Sequence, residues 1–244
     1  MPRIKRHRKK KKRAKTRHSE PSITVIYKDG SRKEFYAEDE DEDEDEDTIS
    51  LSYEITDEPI HYPEYERLPE HVKDTIDRLY IQLQKRPEKV IPKLLDLLEE
   101  YPHIPTLYNH LSLAYSVLGQ YEKMKEIIYE NYRRNPDYLF ARLNYAELYL
   151  RQGEYDKTFE LFDRKYDLKL LYPKRNKFHI SEVAGFMGIM GIYFFETGKR
   201  DTAEIYYDIL RQIAPSYPMT KILRQKLHPS LLIRFRSWLS MKMK

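Results

Sequence analysis

A stretch in the middle of the chain is repeated at a fixed spacing of 34 residues. Four pairs of identical residues stand 34 positions apart: Pro102 and Pro136, Tyr115 and Tyr149, Gly119 and Gly153, and Tyr121 and Tyr155. A period of this length predicts stacked supersecondary units rather than one closed core. Stacked units of this kind form extended binding surfaces, so the repeat favours a protein that holds a partner.

Apolar residues recur at helical spacing through the repeated region and beyond it. The pattern predicts ten helices, at residues 69–84, 87–100, 105–118, 121–134, 139–152, 155–167, 181–197, 200–213, 217–227 and 230–242. Gly119 and Gly153 are predicted to stand at helix ends, where a positive φ is favoured. Inside one predicted helix, Gly185, Gly188 and Gly191 recur every three residues, which indicates close helix packing rather than phosphate binding.

Charge is strongly segregated along the 244 residues. Residues 1–18 hold eleven Lys and Arg and no acid, residues 38–47 are ten consecutive acids, and residues 221–244 hold seven Lys and Arg and no acid. Highly charged segments bury too little apolar surface to fold alone. The predicted organisation is a disordered basic tail (1–22), a β-hairpin around Asp29-Gly30 (23–37), an acidic run and extended linker (38–67), a helical repeat domain (68–216), and basic C-terminal helices (217–244).

The motifs of common enzymes are missing from the sequence. There is no Cys, which excludes disulfides, a thiol nucleophile and cysteine-ligated metals. No glycine pattern matches a dinucleotide-binding or phosphate-binding loop, and the eight His show no metal-ligand spacing. We therefore expect a non-enzymatic protein with no cofactor and no metal. No apolar segment is long enough to predict a signal peptide or a membrane span, which favours a cytoplasmic location, or a nuclear one in a eukaryotic host.

More residues share the 34-residue register. The unit starting at Pro105 has Tyr108, Leu111, Ser112, Tyr115, Gly119 and Tyr121, and the unit starting at Leu139 has Arg142, Tyr145, Ala146, Tyr149, Gly153 and Tyr155. A third unit starts near Ala184, after eleven extra residues centred on 172–176, and a degenerate fourth starts at His71. This register resembles the tetratricopeptide repeat (TPR), a family of 34-residue helix–turn–helix units. Over residues 69–216 the resemblance implies an all-α, right-handed solenoid of three to four helical hairpins with a C-terminal capping helix.

In TPR proteins, the first helix of each unit lines a concave groove that binds a segment of a partner protein. The resemblance therefore implies a groove lined by Asn109, Leu113, Val117, Phe140, Leu143, Asn144, Glu147, Leu150, Arg151, Ile192 and Phe195. The family's carboxylate clamp is not reproduced: only Asn144 matches it, and Leu113 and Gly185 stand where polar residues are needed. The implied groove is apolar, and the sequence leaves open whether a partner segment or the chain's own flanks fill it.

The two basic ends of the chain suggest alternative functions. A dense group of cations predicts contact with a polyanion such as RNA, DNA or a ribosome. These cations are Arg3, Lys5, Arg6, Arg8, Lys9, Lys10, Lys11, Lys12 and Arg13. Residues 230–244 predict a basic amphipathic helix that either caps the last repeat or lies on a membrane surface.

The function predicted first is a non-enzymatic scaffold or adaptor that binds a protein or peptide partner. A nucleic-acid- or ribosome-associated factor and a membrane-peripheral assembly factor are the alternatives, and the oligomeric state is left open.

Overall fold

The computed structural model describes residues 53–60 and 62–229, together with the backbone of two strands, β1 (Ile23–Ile26) and β2 (Arg32–Phe35). The predicted basic tail, the acidic run and the predicted helix at 230–242 lie outside the described residues. β1 and β2 pair antiparallel, with Ile23 opposite Phe35 and Ile26 opposite Arg32.

Eight of the predicted helices are present with bounds that differ by no more than one residue. The elements after β2 in the described residues are β3 (Glu54–Thr56), α1 (Pro63–Glu66), α2 (Glu70–Leu83), α3 (Pro87–Glu100), α4 (Pro105–Val117), α5 (Tyr121–Arg134), α6 (Leu139–Gln152), α7 (Tyr155–Glu160), α8 (Leu168–Leu171), β4 (Lys177–His179), α9 (Ile180–Glu196), α10 (Arg200–Ile213) and α11 (Pro218–Leu227).

The helices stack as successive hairpins. Helices α2/α3, α4/α5, α6/α7 and α9/α10 pair within a unit, while α3 packs on α4, α5 on α6, and α9 on both α6 and α11. The turn residues Gly119 and Gly153 have positive φ values of 68° and 75°, as their places in the period predict. The predicted all-α helical-repeat solenoid is confirmed.

The prediction of one helix over residues 155–167 is wrong. Helix α7 is short, and Asp163 and Arg164 adopt left-handed φ values of 52° and 55°. The buried guanidinium of Arg142 donates a hydrogen bond of 3.0 Å to the carbonyl oxygen of Leu161. That carbonyl is thereby turned toward α6, so α7 does not continue through this segment.

The eleven extra residues that follow form a docking place for a segment far upstream. Strand β3 pairs parallel with β4 and sets Ile55 opposite Phe178. The Glu54 amide donates to the carbonyl oxygen of Asn176 at 2.8 Å, and the Glu54 carboxylate pairs with the Lys177 ammonium at 2.8 Å. The prediction of an extended linker up to residue 67 therefore misses a packed segment. We call residues 53–60 and 62–68 the strap.

Buried apolar side chains of the described residues form two separate cores. The N-terminal core is built mainly by α1 to α5 and includes Ile76, Leu94 and Leu111. The C-terminal core is built by β3, β4 and α6 to α11 and includes Phe162 and Phe186. The boundary between them, which we call the seam, runs between α4 and α5 on one side and α6 on the other.

Helix α9 is the centre of the C-terminal core, and its glycines allow its neighbours to approach. A Cβ atom on Gly188 would lie 2.4 Å from Cβ of Met219, and one on Gly191 would lie 2.4 Å from Cδ2 of Leu223 and 3.2 Å from Cβ of Tyr206. These distances are far below van der Waals contact, so α10 and α11 pack directly on the α9 backbone. The glycine row serves helix packing, as its spacing predicts.

We expect Gly188→Ala to lower the free energy of unfolding by about 1–3 kcal/mol, because the added methyl group would lie 2.4 Å from Cβ of Met219 and 3.6 Å from its Cα, so α11 itself must shift. Gly185→Ala is the matched control. Its Cβ would meet only the end of the Leu143 side chain at 2.8 Å, which can move aside. Urea unfolding of both variants measures the difference. Equal losses of stability in the two variants would contradict the packing assigned to Gly188.

Asp167 is a buried carboxyl that caps the N-terminus of α8. Its Oδ1 accepts hydrogen bonds from the backbone amides of Lys169 (2.5 Å) and Leu170 (3.2 Å). Its Oδ2 and the hydroxyl of Tyr53 in the strap are buried, and neither has a hydrogen-bond partner among the described residues. Burial raises the pKa of Asp167 to about 6, although the two amide hydrogen bonds oppose the shift.

We expect Asp167→Asn to stabilise the protein above pH 6 by about 1–3 kcal/mol and to have little effect near pH 4. The folded protein holds the Asp167 proton more tightly than the unfolded chain does. This carboxyl therefore causes stability to fall as the pH rises from about 4 to about 6, and Asn removes that loss while keeping an oxygen for the cap. Urea unfolding at pH 4, 5, 6 and 7 checks this, and a difference independent of pH would contradict it.

Candidate functional site

A cavity of about 640 Å³ opens at the seam, among α4, α5 and α6. The side chains that line it come from three helices: Asn109, Ser112, Leu113 and Ser116 of α4, Tyr121, Glu122, Met124, Lys125 and Ile128 of α5, and Asn144, Glu147, Leu148, Arg151 and Gln152 of α6. The small Ser side chains on α4 leave a space, and larger residues of the neighbouring helices surround it. A cavity of this volume is large enough for a small ligand or for several side chains of a peptide.

The structure brings five of the predicted groove residues into this cavity: Asn109, Leu113, Asn144, Glu147 and Arg151. The Nδ2 of Asn144 donates a 2.7 Å hydrogen bond to Oδ1 of Asn109, across the seam. Leu113 is 38% exposed and offers an apolar surface between these polar groups. Helical spacing accounts for this arrangement, since residues four apart lie on one helix face.

Each charged side chain of the cavity lining has an oppositely charged partner in its own helix. Lys125 pairs with Glu122 at 2.8 Å on α5, and Arg151 pairs with Glu147 at 2.6 Å on α6. The hydrogen bond to Glu122 raises the pKa of Lys125. Ion pairs this exposed are weak, so a ligand could exchange with them at little cost. The charged groups of the lining therefore balance each other, two acids against two bases.

The other predicted groove residues lie outside the cavity. Val117 is exposed on α4, whereas Phe140, Leu150 and Phe195 are half-buried against the C-terminal core.

Leu143 and Ile192 are buried, with 5% and 6% of their surface exposed, so the structure does not support a groove-lining role for them. Leu143 is buried because Gly185 has no side chain, which lets Leu143 reach the α9 backbone.

Sequence reasoning missed the contribution of α5. Tyr121, Lys125 and Ile128 stand at helical spacing on that helix, and Tyr121 is 59% exposed. The predicted groove used first helices alone, so these residues were not considered. Their spacing on one face of α5 would have indicated them once α5 was expected to border α6.

A second polar feature lies between α2 and α4. The imidazole of His110 is buried and stacks on the ring of Tyr80, with 4.8 Å between ring centroids. Its Nδ1 has no hydrogen-bond partner among the described residues. Burial lowers the pKa of His110 to about 4, and the Asp77 carboxylate opposes the shift. His110 is neutral at pH 7, so it presents no charge to a ligand.

We expect His110→Phe to make the protein less sensitive to acid. The unfolded chain binds the His110 proton more tightly than the folded protein does, so this residue costs stability as the pH falls from about 6.5 to about 4. Phe keeps the stacking on Tyr80 and does not titrate. Between pH 7 and pH 5 the variant should lose about 2 kcal/mol less than the parent protein in denaturant unfolding. Identical losses would show that protonation of His110 does not limit stability.

Among residues 53–60 and 62–229, no helix has the length and apolar character needed to cross a membrane. The same residues contain no group of three or more His, Cys, Asp or Glu side chains placed to hold a metal ion.

Comparison with known proteins gives one curated relative, a TPR repeat-containing protein, YvcD, from Bacillus subtilis (strain 168). It is 33% identical to the chain over 85 residues, which is 35% of this chain and 17% of the relative. The chain thus matches less than a fifth of the relative's length. No protein-family description matches the chain, and no solved structure matches it. Together with the helical-repeat fold, the relative supports a TPR-like assignment for the repeated region.

Proposed function

We propose that this protein is a non-enzymatic scaffold or adaptor that binds a segment of a partner protein at the seam cavity. The observation that carries the proposal is the convergence of Asn109, Leu113, Asn144, Glu147 and Arg151 on one cavity, where Leu113 and Glu147 stand at equivalent places of the 34-residue repeat. A likeness to a TPR repeat-containing protein supports a repeat-based role in protein interaction.

The lining suits a peptide that inserts an apolar side chain. Leu113 and Met124 form an accessible apolar wall, and Ile128 and Leu148 close the floor. Amide and hydroxyl groups of Asn109, Ser116 and Gln152 stand near that wall, where they can bond to a peptide backbone. Polar groups placed around an apolar pocket give orientation and specificity to binding.

We expect the double variant Leu113→Glu/Arg151→Glu to lose partner proteins that the parent protein captures, because it charges the apolar wall and breaks the pair with Glu147. The full chain serves as bait, and captured proteins are quantified by mass spectrometry at low and high salt with nuclease present. The captured amount of each protein that binds at the cavity should fall at least tenfold, which corresponds to a loss of about 1.4 kcal/mol in binding free energy.

The matched control is Leu95→Glu/Arg134→Glu. Leu95 is 39% exposed against 38% for Leu113, and Arg134 pairs with Glu130 four residues away, as Arg151 does with Glu147. Neither control residue lines the cavity. Capture that is unchanged in the cavity variant, or reduced equally in the control, would rule out the seam cavity as the binding site.

The two alternative functions remain predictions. The Lys- and Arg-rich tail and residues 230–244 lie outside the described residues, so contact with nucleic acid or with a membrane surface rests on sequence alone. The nuclease and salt arms of the capture experiment separate nucleic-acid bridging, which weakens steeply with salt, from binding at the cavity.

A further inference from the structure

The strap belongs to both cores at once. Its first residues, Tyr53 and Ile55, are 6% exposed and lie in the C-terminal core. Its last part places Tyr65 and Leu68, 5% and 7% exposed, in the N-terminal core. Residues 53–60 and 62–68 therefore contact both cores, although they precede the helical hairpins in the chain.

The middle of the strap is held where the two cores meet. The Tyr62 hydroxyl donates to Oε1 of Glu182 at 3.1 Å, and its ring packs edge-on against Tyr138 at 4.7 Å. Glu182 is 2% exposed and also accepts from Arg175 at 2.8 Å and from the His179 amide at 3.0 Å. A buried carboxylate with this many donors is a fixed anchor, because its charge is fully paired.

The strap and the cavity both border α6. Tyr138 precedes α6 and Glu182 is in the first turn of α9, so the strap passes the N-terminal ends of these helices. The cavity extends along α6 from Asn144 to Arg151 and Gln152, so it reaches the C-terminal end of that helix. A helix of 14 residues is about 21 Å long. The strap therefore holds the seam at the start of α6, while the cavity opens along the rest of that helix.

Helix α5 packs directly on α6, but the polar ties across the seam are few among the described residues. The side chains of Thr106 and Tyr138 share a hydrogen bond. Asn109 and Asn144 share one hydrogen bond, and the rings of Tyr129 and Tyr132 on α5 contact Tyr145 on α6 at 5.0 and 5.1 Å. A turn of one core against the other would have to take place at these aromatic contacts. Rotation of packed bodies about such a contact is a common form of conformational change.

Docking of the strap also carries a cost. The Tyr53 hydroxyl and Oδ2 of Asp167 are both buried without a hydrogen-bond partner among the described residues. A buried polar group left in this state costs about 1–3 kcal/mol. The docked strap is therefore less stable than its apolar contacts alone would make it.

We propose that the strap is a releasable tie that sets the opening of the seam cavity. When the strap is docked, the two cores are held at one angle and the cavity has the width described here. When β3 leaves β4, the cores turn about the tyrosine contacts and the cavity changes width. Strap docking and occupation of the cavity are then coupled, and each shifts the other by the same free energy. The proposal goes beyond the scaffold function and does not depend on which partner is bound.

The test uses the full chain, which has no native Cys. Tyr121→Cys and Gln152→Cys place two spin labels on opposite lips of the cavity, one on each side of the seam. Ile55→Asp releases β3, because a carboxylate cannot remain in the core opposite Phe178. Leu170→Asp is the control, since Leu170 is 57% exposed and lies outside the strap and the cavity. Amide hydrogen exchange of residues 54–56 reports strap release directly, and pulsed electron resonance measures the distance between the labels.

We expect Ile55→Asp to raise amide exchange at 54–56 at least a hundredfold and to shift the label distance by more than the width of the parent distribution. Leu170→Asp should leave both unchanged. A released strap with the parent distance would overturn the proposal. If Ile55→Asp loses helical circular dichroism, Tyr62→Ala replaces it with the same two readouts. Unchanged exchange at 54–56 in every folded variant would also overturn the proposal, because the strap would then not be releasable.

Discussion

The structure depends on one constraint: each helical hairpin leaves an apolar face that only its neighbour can cover. Helix α9 shows the constraint most clearly. Its buried side chains, from Val183 to Phe194, point toward α6, α10, α11 and β4 at once. Gly188 and Gly191 remove the side chains that would hold α10 and α11 away. Stability in such a stack comes from neighbour contacts more than from any single hairpin.

The departure from the regular repeat has a consequence for the whole fold. Arg142 fixes the carbonyl of Leu161, α7 ends early, and the extra residues that follow build α8 and β4. Strand β4 then offers an edge on which the strap docks. A local interruption of the stack thus creates the place where a segment from before the first hairpin contacts the last full one.

The seam gives the protein its cavity. Helix α5 packs on α6, while the small side chains of α4 leave room among α4, α5 and α6. His110 beside α2 and Asp167 at the start of α8 are each buried with a polar atom that the described residues do not pair. Binding surfaces and joints are commonly taken from the parts of a fold with lower local stability.

The sequence by itself determined the repeat period, eight helices, the turn glycines and the packing role of the glycine row, because each of these depends on local patterns. Five cavity residues followed from the resemblance in the same way, because positions on one helix face are set by spacing. Only the tertiary structure decided the end of α7, the burial of Leu143 and the course of the strap. The physical reason is separation along the chain: the bond from Tyr62 to Glu182 joins residues 120 positions apart, and no local periodicity encodes such a contact.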